Sequence, residues 1–223
     1  MALDFYHGHG SPFSWRVWLA LEAKGIPYNL KVLSFDKKET TTPEFIAINP
    51  RHTVPTIVDD GHALWESLAI LEYLAEKFPD ARLWPADPAA RAHARAIAAE
   101  MHAGFVPLRR ALPMNMWRPV MWRELAPDVQ SNVRRIEAMW TDCRTRYGAD
   151  GPFLFGRFGA ADAMYAPVVS RFHTYDVEVN DVARAYMAAV MALPAWGEWR
   201  AAALQEPWVL PEDEVDWPKV LRV

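Results

Sequence analysis

The sequence predicts an α/β domain followed by an all-helical domain. Residues 1–80 alternate between strand-like and helix-like patterns, whereas residues 89–223 show helical periodicity without a convincing strand. Three prolines fall within residues 78–88 and interrupt regular structure. We therefore predict one domain at 1–80, a linker at 81–88 and a second domain at 89–223.

The composition and charge exclude several functional classes. The 223 residues are 52% hydrophobic and 23% charged, as in soluble globular proteins with a sizeable core. With 24 basic and 28 acidic side chains the formal charge is −4, so we do not expect a nucleic acid partner. No signal-peptide pattern and no run of about 18 apolar residues is visible. We therefore expect a cytoplasmic protein without a membrane partner.

Few residues could bind a metal or form a disulfide. Cys143 is the only cysteine, which excludes an internal disulfide and a multi-cysteine metal site. We interpret it as a small, buried apolar side chain. His7 and His9 lie close together, but no third ligand is suggested nearby, so we expect no metal.

Local patterns in the first domain predict the element order β-α-β-α-β-β-α. Ser11 and Pro12 suit the N-cap and first position of a helix, and Gly25 suits its C-cap. Asp60 and Gly61 predict a tight hairpin turn. The predicted strands are 3–6, 28–33, 56–58 and 63–65, and the predicted helices are 12–24, 42–46 and 66–78. This order implies one mixed sheet with helices packed against it.

The second domain is predicted to contain about five helices. Gly148 is placed to end one of them, after a long amphipathic stretch. The four helices that the pattern defines are 89–103, 129–147, 160–175 and 182–191.

Three short segments of the first domain could carry chemistry. Ser11 opens a helix, where free N–H groups and the positive dipole end favour an anion, although the serine could also be only an N-cap. Pro55 enters a strand and could be cis, although a trans proline is ordinary at that position. Glu66 and Ser67 begin another helix and could bind a charged ligand or only cap it.

The order of these segments resembles the cytosolic glutathione transferase family. The motifs are S-P-F-S at 11–14, V-P-T at 54–56 and E-S-L-A-I-L-E-Y-L at 66–74. They are most similar to the serine-type classes of the zeta and theta-like branches, although Pro12 and Phe13 depart from the S-S-C-S of zeta members. The resemblance implies a thioredoxin-like N-terminal domain and an all-helical C-terminal domain. Serines replace both cysteines of the related C-x-x-C motif, so dithiol chemistry is not available there.

The resemblance also implies roles for individual residues. Ser11 is expected to contact the sulfur of glutathione, with Ser14, one helical turn on, as the second candidate. Val54 is expected to bind the cysteinyl backbone ahead of a cis Pro55. Glu66 and Ser67 are expected to hold the γ-glutamyl end, and His52 is expected near the glycyl end. Phe13 is a further residue expected to bind glutathione.

Two assignments by resemblance remain less specific. At the glycyl end, Arg51 or Lys38 could serve instead of His52. Asp162 matches the acidic member of the capping box that the family carries in a buried helix, but Gly159 replaces its hydroxyl residue. We expect Asp162 to be structural, because it can still accept from the backbone N–H at the helix start.

The second substrate is expected between the domains. Met101, Phe105 and Leu108 fall on one apolar face of the first helix of the second domain, and such side chains form adaptable pockets. The same face could also belong only to the core. Arg109 could anchor an acidic substrate, although arginine on a helix is usually solvated.

We therefore expect a glutathione transferase that uses glutathione as co-substrate, acts on a small hydrophobic or acidic electrophile and forms a homodimer. Two alternatives are a glutathione-dependent cis–trans isomerase of the maleylacetoacetate type and a non-catalytic binding module of the same fold. A peroxide or dehydroascorbate reductase would require a cysteine at position 11, where Ser11 stands.

Overall fold

A computed structural model describes residues 2–8, 10–206 and 213–215 of the chain. His9 and, at the end of the predicted second domain, residues 207–212 and 216–223 lie outside the described residues. None of the helices in the described part is long and apolar enough to cross a membrane.

The first part of the chain has the predicted order of strands and helices. A parallel pair, β1–β2, is extended by β3 and β4 in antiparallel pairing, giving the strand order β2-β1-β3-β4. The strands are β1 (Leu3–His7), β2 (Tyr28–Val32), β3 (Thr56–Asp59) and β4 (His62–Trp65). The helices are α1 (Pro12–Lys24), α2 (Pro43–Ile48) and α3 (Ser67–Lys77), with 3₁₀ turns at Glu39–Thr41 and Pro79–Ala81. The thioredoxin-like prediction is confirmed.

The caps of α1 confirm the sequence-based assignment of its ends. Ser11 is the N-cap, and its Oγ accepts a hydrogen bond from the backbone N–H of Ser14 at 3.2 Å. Gly25 ends the helix at φ 63°, in the left-handed region that glycine adopts without a Cβ clash. Trp15, Leu19 and neighbouring side chains of α1 are fully buried, because the helix packs against both α3 and the later helix Ala160–Thr174.

The rest of the described chain is helical, as predicted, but with more helices. The helices are α4 (Pro88–Ala103), α5 (Val106–Ala111), α6 (Pro127–Tyr147), α7 (Ala160–Thr174), α8 (Asp181–Met191) and α9 (Pro194–Ala203), with a 3₁₀ turn at Gly148–Asp150. The patterns predicted neither α5 nor α9. The six-residue α5 is too short for a periodic signal. Only two residues separate the end of α8 from the proline that begins α9.

The start of α7 explains the unusual capping box. Asp162, which is 1% exposed, accepts hydrogen bonds from the backbone N–H groups of Gly159 at 2.8 Å and Leu154 at 3.0 Å. A Cβ at position 159 would lie 2.7 Å from the carbonyl oxygen of Leu83, so a hydroxyl residue does not fit there. Burial raises the pKa of Asp162 to about 6, although the two backbone N–H groups oppose the shift. The geometry agrees with a structural role.

Cys143 lies on α6 in the centre of the helical part. It is 0% exposed and is a free thiol, and burial raises its pKa to about 12. The neighbouring Trp140 is also fully buried and contacts the rings of Tyr165, Phe172 and Tyr186. The interpretation of Cys143 as a core residue therefore agrees with its surroundings.

Candidate active site

The pairing register of the sheet gathers the three predicted segments at one edge. Thr56, the first residue of β3, pairs with Tyr6 of β1 on one side and with Trp65 of β4 on the other. The loop after β1, the Val54-Pro55 segment before β3 and the start of α3 after β4 therefore meet at the same end of the sheet. Their approach follows from the pairing register of the strands.

Ser11 and Ser14 differ in their accessibility at this edge. The hydroxyl of Ser11 lies at the N-terminus of α1, and 7% of the residue is exposed. Ser14 is 0% exposed, and within the described residues its Oγ has no hydrogen-bond partner. Ser11 therefore keeps a little exposed surface, whereas Ser14 is fully enclosed.

The peptide bond between Val54 and Pro55 is cis, as the resemblance implied. Within the described residues, the backbone N–H and C=O of Val54 form no hydrogen bond, so both are free for a ligand. The buried Asn49 fixes the preceding loop, because its Nδ2 donates to the carbonyl of Thr53 at 2.8 Å and to Oγ1 of Thr56 at 2.9 Å.

Glu66 adopts a backbone conformation that the sequence did not predict. Its φ is 69° and its ψ is 116°, a combination that costs a non-glycine residue free energy. The residue precedes α3 without capping it, and its carboxylate is exposed, 3.6 Å from Nε2 of His102 on α4. Strain of this kind is typical of positions held in place for a ligand.

Ser67 follows Glu66 and is 1% exposed. Its Oγ accepts a hydrogen bond from Nη1 of Arg16 at 3.4 Å and lies 3.9 Å from the sulfur of Met164. Arg16 is itself 2% exposed and belongs to α1. The buried guanidinium of Arg16 therefore orients the Ser67 hydroxyl, which is expected to bind glutathione.

Phe13 lies between two guanidinium groups. The Cζ atom of Arg16 is 5.0 Å from the ring centroid, and that of Arg109 on α5 is 5.1 Å from it. Both distances fall within the range of cation–π contacts. Phe13 therefore connects the start of α1 to the helical part of the chain.

A third arginine increases the positive charge of this region. Arg171 on α7 is 5% exposed and donates to the carbonyl groups of Leu112 and Pro167. Burial and, to a smaller extent, the charges of Arg171 and Arg109 together lower the pKa of Arg16 to about 9. Burial also lowers the pKa of Arg171 to about 10, with Arg109 as the second cause. All three arginines stay charged at neutral pH, so the region favours an anion.

Sequence reasoning gave Arg16 and Arg171 no role. A signal was present for Arg16, because it interrupts the apolar run of α1 between Trp15 and Val17 and is too central in that run to face solvent. No comparable signal identifies Arg171, whose burial depends on packing between α7 and the segment around Leu112.

The prediction that Met101, Phe105 and Leu108 lie on one face of a single helix is wrong. The helix ends at Ala103, and Phe105 adopts φ 58° between α4 and α5. Gly104 allows this break, since a Cβ there would lie 2.7 Å from the carbonyl oxygen of Glu100. Met101 and Leu108 are 0% exposed and Phe105 is 8% exposed, so these side chains belong to the core. Of the predicted pocket residues, only Arg109 is partly accessible.

The candidates for the glycyl end are all exposed. His52 has φ 57° and donates its backbone N–H to the carbonyl of Asn49 at 3.0 Å. Arg51 donates its backbone N–H to Oδ1 of Asn49 at 2.8 Å, and its side chain is exposed. Lys38 has φ 55° and lies in the loop before α2.

Comparison with known proteins identifies the family. Residues 10–77 match the glutathione S-transferase N-terminal domain, and residues 89–220 match the glutathione S-transferase C-terminal domain. The chain belongs to the glutathione S-transferase family. The family resemblance stated from the motifs is thereby confirmed.

Individual relatives match parts of the sequence. The chain is 42% identical to glutathione S-transferase D7 of Drosophila melanogaster over 92 residues, covering 40% of this chain and 41% of the relative. It is 46% identical to a probable maleylacetoacetate isomerase of Caenorhabditis elegans over 98 residues, covering 44% and 45%. The chain thus spans less than half the length of the curated relatives it matches.

A solved structure agrees with the fold over nearly the whole chain. The glutathione transferase homologue of Lodderomyces elongisporus, solved with two glutathione molecules per subunit, superposes with a TM-score of 0.69. The match covers 91% of this chain and 99% of that one, at 21% sequence identity. At this identity the likeness establishes the glutathione S-transferase fold.

No group of three or more metal-ligating side chains occurs among the residues that the structure describes.

Proposed function

We propose that this protein is a glutathione transferase, which ionises the thiol of glutathione and directs the thiolate onto a small electrophile. The observation that carries the proposal is the register at Thr56, which brings Ser11, Val54 and the start of α3 to one sheet edge. Membership of the family supports it. The Lodderomyces relative, which was solved with glutathione, supports the choice of co-substrate.

The energetics of thiol ionisation are within reach of Ser11. A free thiol has a pKa of about 8.5, so ionising it at neutral pH needs a drop of roughly 2 units, or about 2.7 kcal/mol. A charge-assisted hydrogen bond from a hydroxyl contributes about 1.5–3 kcal/mol, and a helix N-terminus adds about 0.3–1 kcal/mol. Ser11 combines both at the start of α1. We assign the role to Ser11 rather than to the enclosed Ser14.

The remaining groups match the chemistry of the tripeptide. The free backbone groups of Val54 can pair with the cysteinyl amide and carbonyl. The exposed carboxylate of Glu66 suits the α-ammonium of the γ-glutamyl end, while Ser67 and the N-terminus of α3 suit its carboxylate. Phe13 supports the tripeptide beside Ser11. His52 is the first candidate for the glycyl carboxylate, with Arg51 and Lys38 as alternatives.

The arginines around Phe13 favour an acidic electrophile. Arg109 is half-buried and lies over Phe13, close to the proposed thiolate, while Arg16 and Arg171 add positive charge from behind. In conjugation the thiolate forms a carbon–sulfur bond and the leaving group departs with its electron pair. In isomerisation the thiolate adds to a conjugated double bond, the new single bond rotates, and elimination restores the double bond and the thiolate.

Isomerisation of the maleylacetoacetate type is the second candidate. The similarity to the probable maleylacetoacetate isomerase favours it, and so does the positive charge that faces the proposed thiolate. A non-catalytic binding module is the third candidate, but nothing at the sheet edge specifically favours it. Homodimer formation, a cytoplasmic location and division into domains 1–80 and 89–223 remain proposals from the family resemblance.

The proposal is tested by glutathione binding and by turnover. We expect isothermal titration calorimetry to detect binding of reduced glutathione at millimolar concentration or below, and an activated aryl halide to be converted to its glutathione conjugate. Parallel assays with a cis-configured unsaturated dicarboxylate distinguish isomerisation. Binding without either reaction would support the non-catalytic module, and absence of binding would overturn all three candidates.

A further inference from the structure

A histidine of the helical part contacts the carboxylate that is proposed to bind the amino end of glutathione. His102 lies in the last turn of α4, and its Nε2 is 3.6 Å from Oε2 of Glu66, the residue that precedes α3. The two side chains are 31% and 46% exposed. An ion pair as accessible as this adds little to stability, so we expect it to affect the ligand more than the fold.

The backbone of Glu66 is constrained, whereas its side chain is not fixed by the helix that follows. Glu66 adopts φ 69° and forms no capping hydrogen bond to α3 through its side chain. Among the residues that the structure describes, Glu66 forms an ion pair with His102 and with no other side chain. The direction of the Glu66 carboxylate therefore depends on His102.

The other charged groups on the helices around this pair have partners of their own or are exposed. Glu100 of α4 pairs with Arg135 of α6 at 2.8 Å, and Glu72 of α3 pairs with Arg95 of α4 at 2.7 Å. Arg16 of α1 donates to Ser67, and its charge attracts that of Glu66. The remaining groups are on α5 and α7: Arg109 over Phe13, the exposed Arg110, Tyr165, which donates to the carbonyl of Ile97, and Arg171, which donates to the carbonyl of Leu112.

The second ring nitrogen of His102 indicates which form of the imidazole its surroundings accommodate. Nδ1 is buried and, within the described residues, forms no hydrogen bond. A proton on Nδ1 would lack an acceptor, which costs free energy, whereas the tautomer protonated only at Nε2 directs its N–H towards Glu66. At 3.6 Å this contact orients the carboxylate but is longer than a hydrogen bond. The neutral ring therefore leaves the negative charge of Glu66 available to a ligand.

We propose that His102 is a positioning residue that makes binding of the amino end of glutathione sensitive to pH. Neutral His102 orients the Glu66 carboxylate towards the α-ammonium of the γ-glutamyl group. Protonated His102 pairs with the same carboxylate and repels the ammonium, so the ligand binds more weakly at acidic pH. The inference rests on the proposed function and adds a residue of α4 to the proposed glutathione site.

The test measures binding by isothermal titration calorimetry at about pH 7.5 and about pH 5.5, which span the usual titration range of histidine. S-methylglutathione is the probe, because it has no thiol whose ionisation would change with pH. Its glutaryl analogue, which lacks only the α-ammonium, is the matched ligand. We expect the dissociation constant of S-methylglutathione to rise about fivefold at the lower pH, and the analogue to bind no more weakly there. An equal rise for both ligands would contradict the inference.

Variants of two histidines on α4 test the assignment to His102. In His102→Gln the side-chain amide keeps an N–H donor but is not protonated, so affinity at the higher pH should stay within about twofold and the loss at the lower pH should disappear. His93→Gln is the matched control, because Nε2 of His93 lies 3.8 Å from Oδ2 of Asp142 in a similar pair on the same helix. This control should keep the full pH dependence. Persistence of the dependence in His102→Gln would overturn the inference.

The same measurements separate this inference from the proposed function. Equal binding of S-methylglutathione by the unaltered protein at both pH values would overturn the inference and leave the proposed function intact. Absence of binding at either pH would overturn both. The comparison of the two ligands uses the unaltered protein and so does not depend on the folding of a variant, which circular dichroism checks.

Discussion

Nη1 of Arg16 lies 3.4 Å from Oγ of Ser67 and donates a hydrogen bond to it. The bond joins the middle of α1 to the start of α3 beneath the proposed glutathione site. Since Arg16 also lies against Phe13, one buried cation positions residues on both sides of the proposed tripeptide. Arg16 is in this sense a positioning residue.

Replacing Arg16 should weaken glutathione binding without removing the thiolate-stabilising group. In Arg16→Gln, Ser67 loses the donor that orients it, which corresponds to about 1 kcal/mol or roughly fivefold in dissociation constant. Calorimetry with reduced glutathione measures this change, and Arg16→Lys should restore part of the affinity because it keeps the charge. An unchanged dissociation constant in Arg16→Gln would show that Ser67 does not need Arg16.

Ser11→Ala should raise the pKa of the bound thiol by about 1–2 units, because one charge-assisted hydrogen bond is lost. The ultraviolet absorbance of the thiolate, followed against pH in the glutathione complex, measures this pKa. Turnover at neutral pH should fall correspondingly, while the dissociation constant of glutathione changes little. Ser14→Ala is the matched control and should leave the thiol pKa unaltered. A raised thiol pKa in Ser14→Ala but not in Ser11→Ala would assign stabilisation of the thiolate to Ser14.

Arg109→Gln should discriminate between acidic and neutral electrophiles. Arg109 is half-buried above Phe13, so its charge acts on a carboxylate held near the proposed thiolate. We expect kcat/KM for a carboxylate-bearing electrophile to fall about tenfold, with little change for a neutral aryl halide. Arg110→Gln, at the exposed neighbouring position, provides the control. Equal losses for both electrophiles would exclude charge recognition by Arg109.

Asp162 should give the protein a measurable pH dependence of stability. Its pKa is raised from 3.8 to about 6 by burial, so the folded state binds a proton that the unfolded state has already released between these values. Asp162 contributes about 3 kcal/mol to the free energy of unfolding below pH 4. This contribution is lost as the pH rises through 6. Urea unfolding of the protein and of Asp162→Asn at several pH values measures this effect. The free energy of unfolding of the unaltered protein should fall relative to that of Asp162→Asn as the pH rises over this range. A constant difference would contradict the raised pKa.

Local chemistry made much of the fold predictable. Ser11, Pro12 and Gly25 define the ends of α1 through capping rules that depend on nearest neighbours. Asp60 and Gly61 likewise fixed the β3–β4 hairpin, since both adopt positive φ in a two-residue turn. The gathering of the site depends instead on the pairing of β1 with β3, which is a long-range contact without a local signal.

The errors of the sequence-based pocket have a definite physical cause. Met101, Phe105 and Leu108 have helical spacing, but the close approach of Gly104 to the carbonyl of Glu100 belongs to a break that periodicity does not record. The positive φ of Glu66 was similarly invisible, because glutamate has no preference for that region.

The enclosed position of Cys143 has a practical consequence for covalent labelling. Its sulfur has no exposed surface, and its pKa of about 12 keeps it protonated, so alkylating reagents meet no competing nucleophilic sulfur on the native protein. Intact-mass spectrometry of the folded protein after treatment with iodoacetamide should therefore show no cysteine adduct. Thiol-directed reagents added to a reaction mixture would then titrate the tripeptide alone.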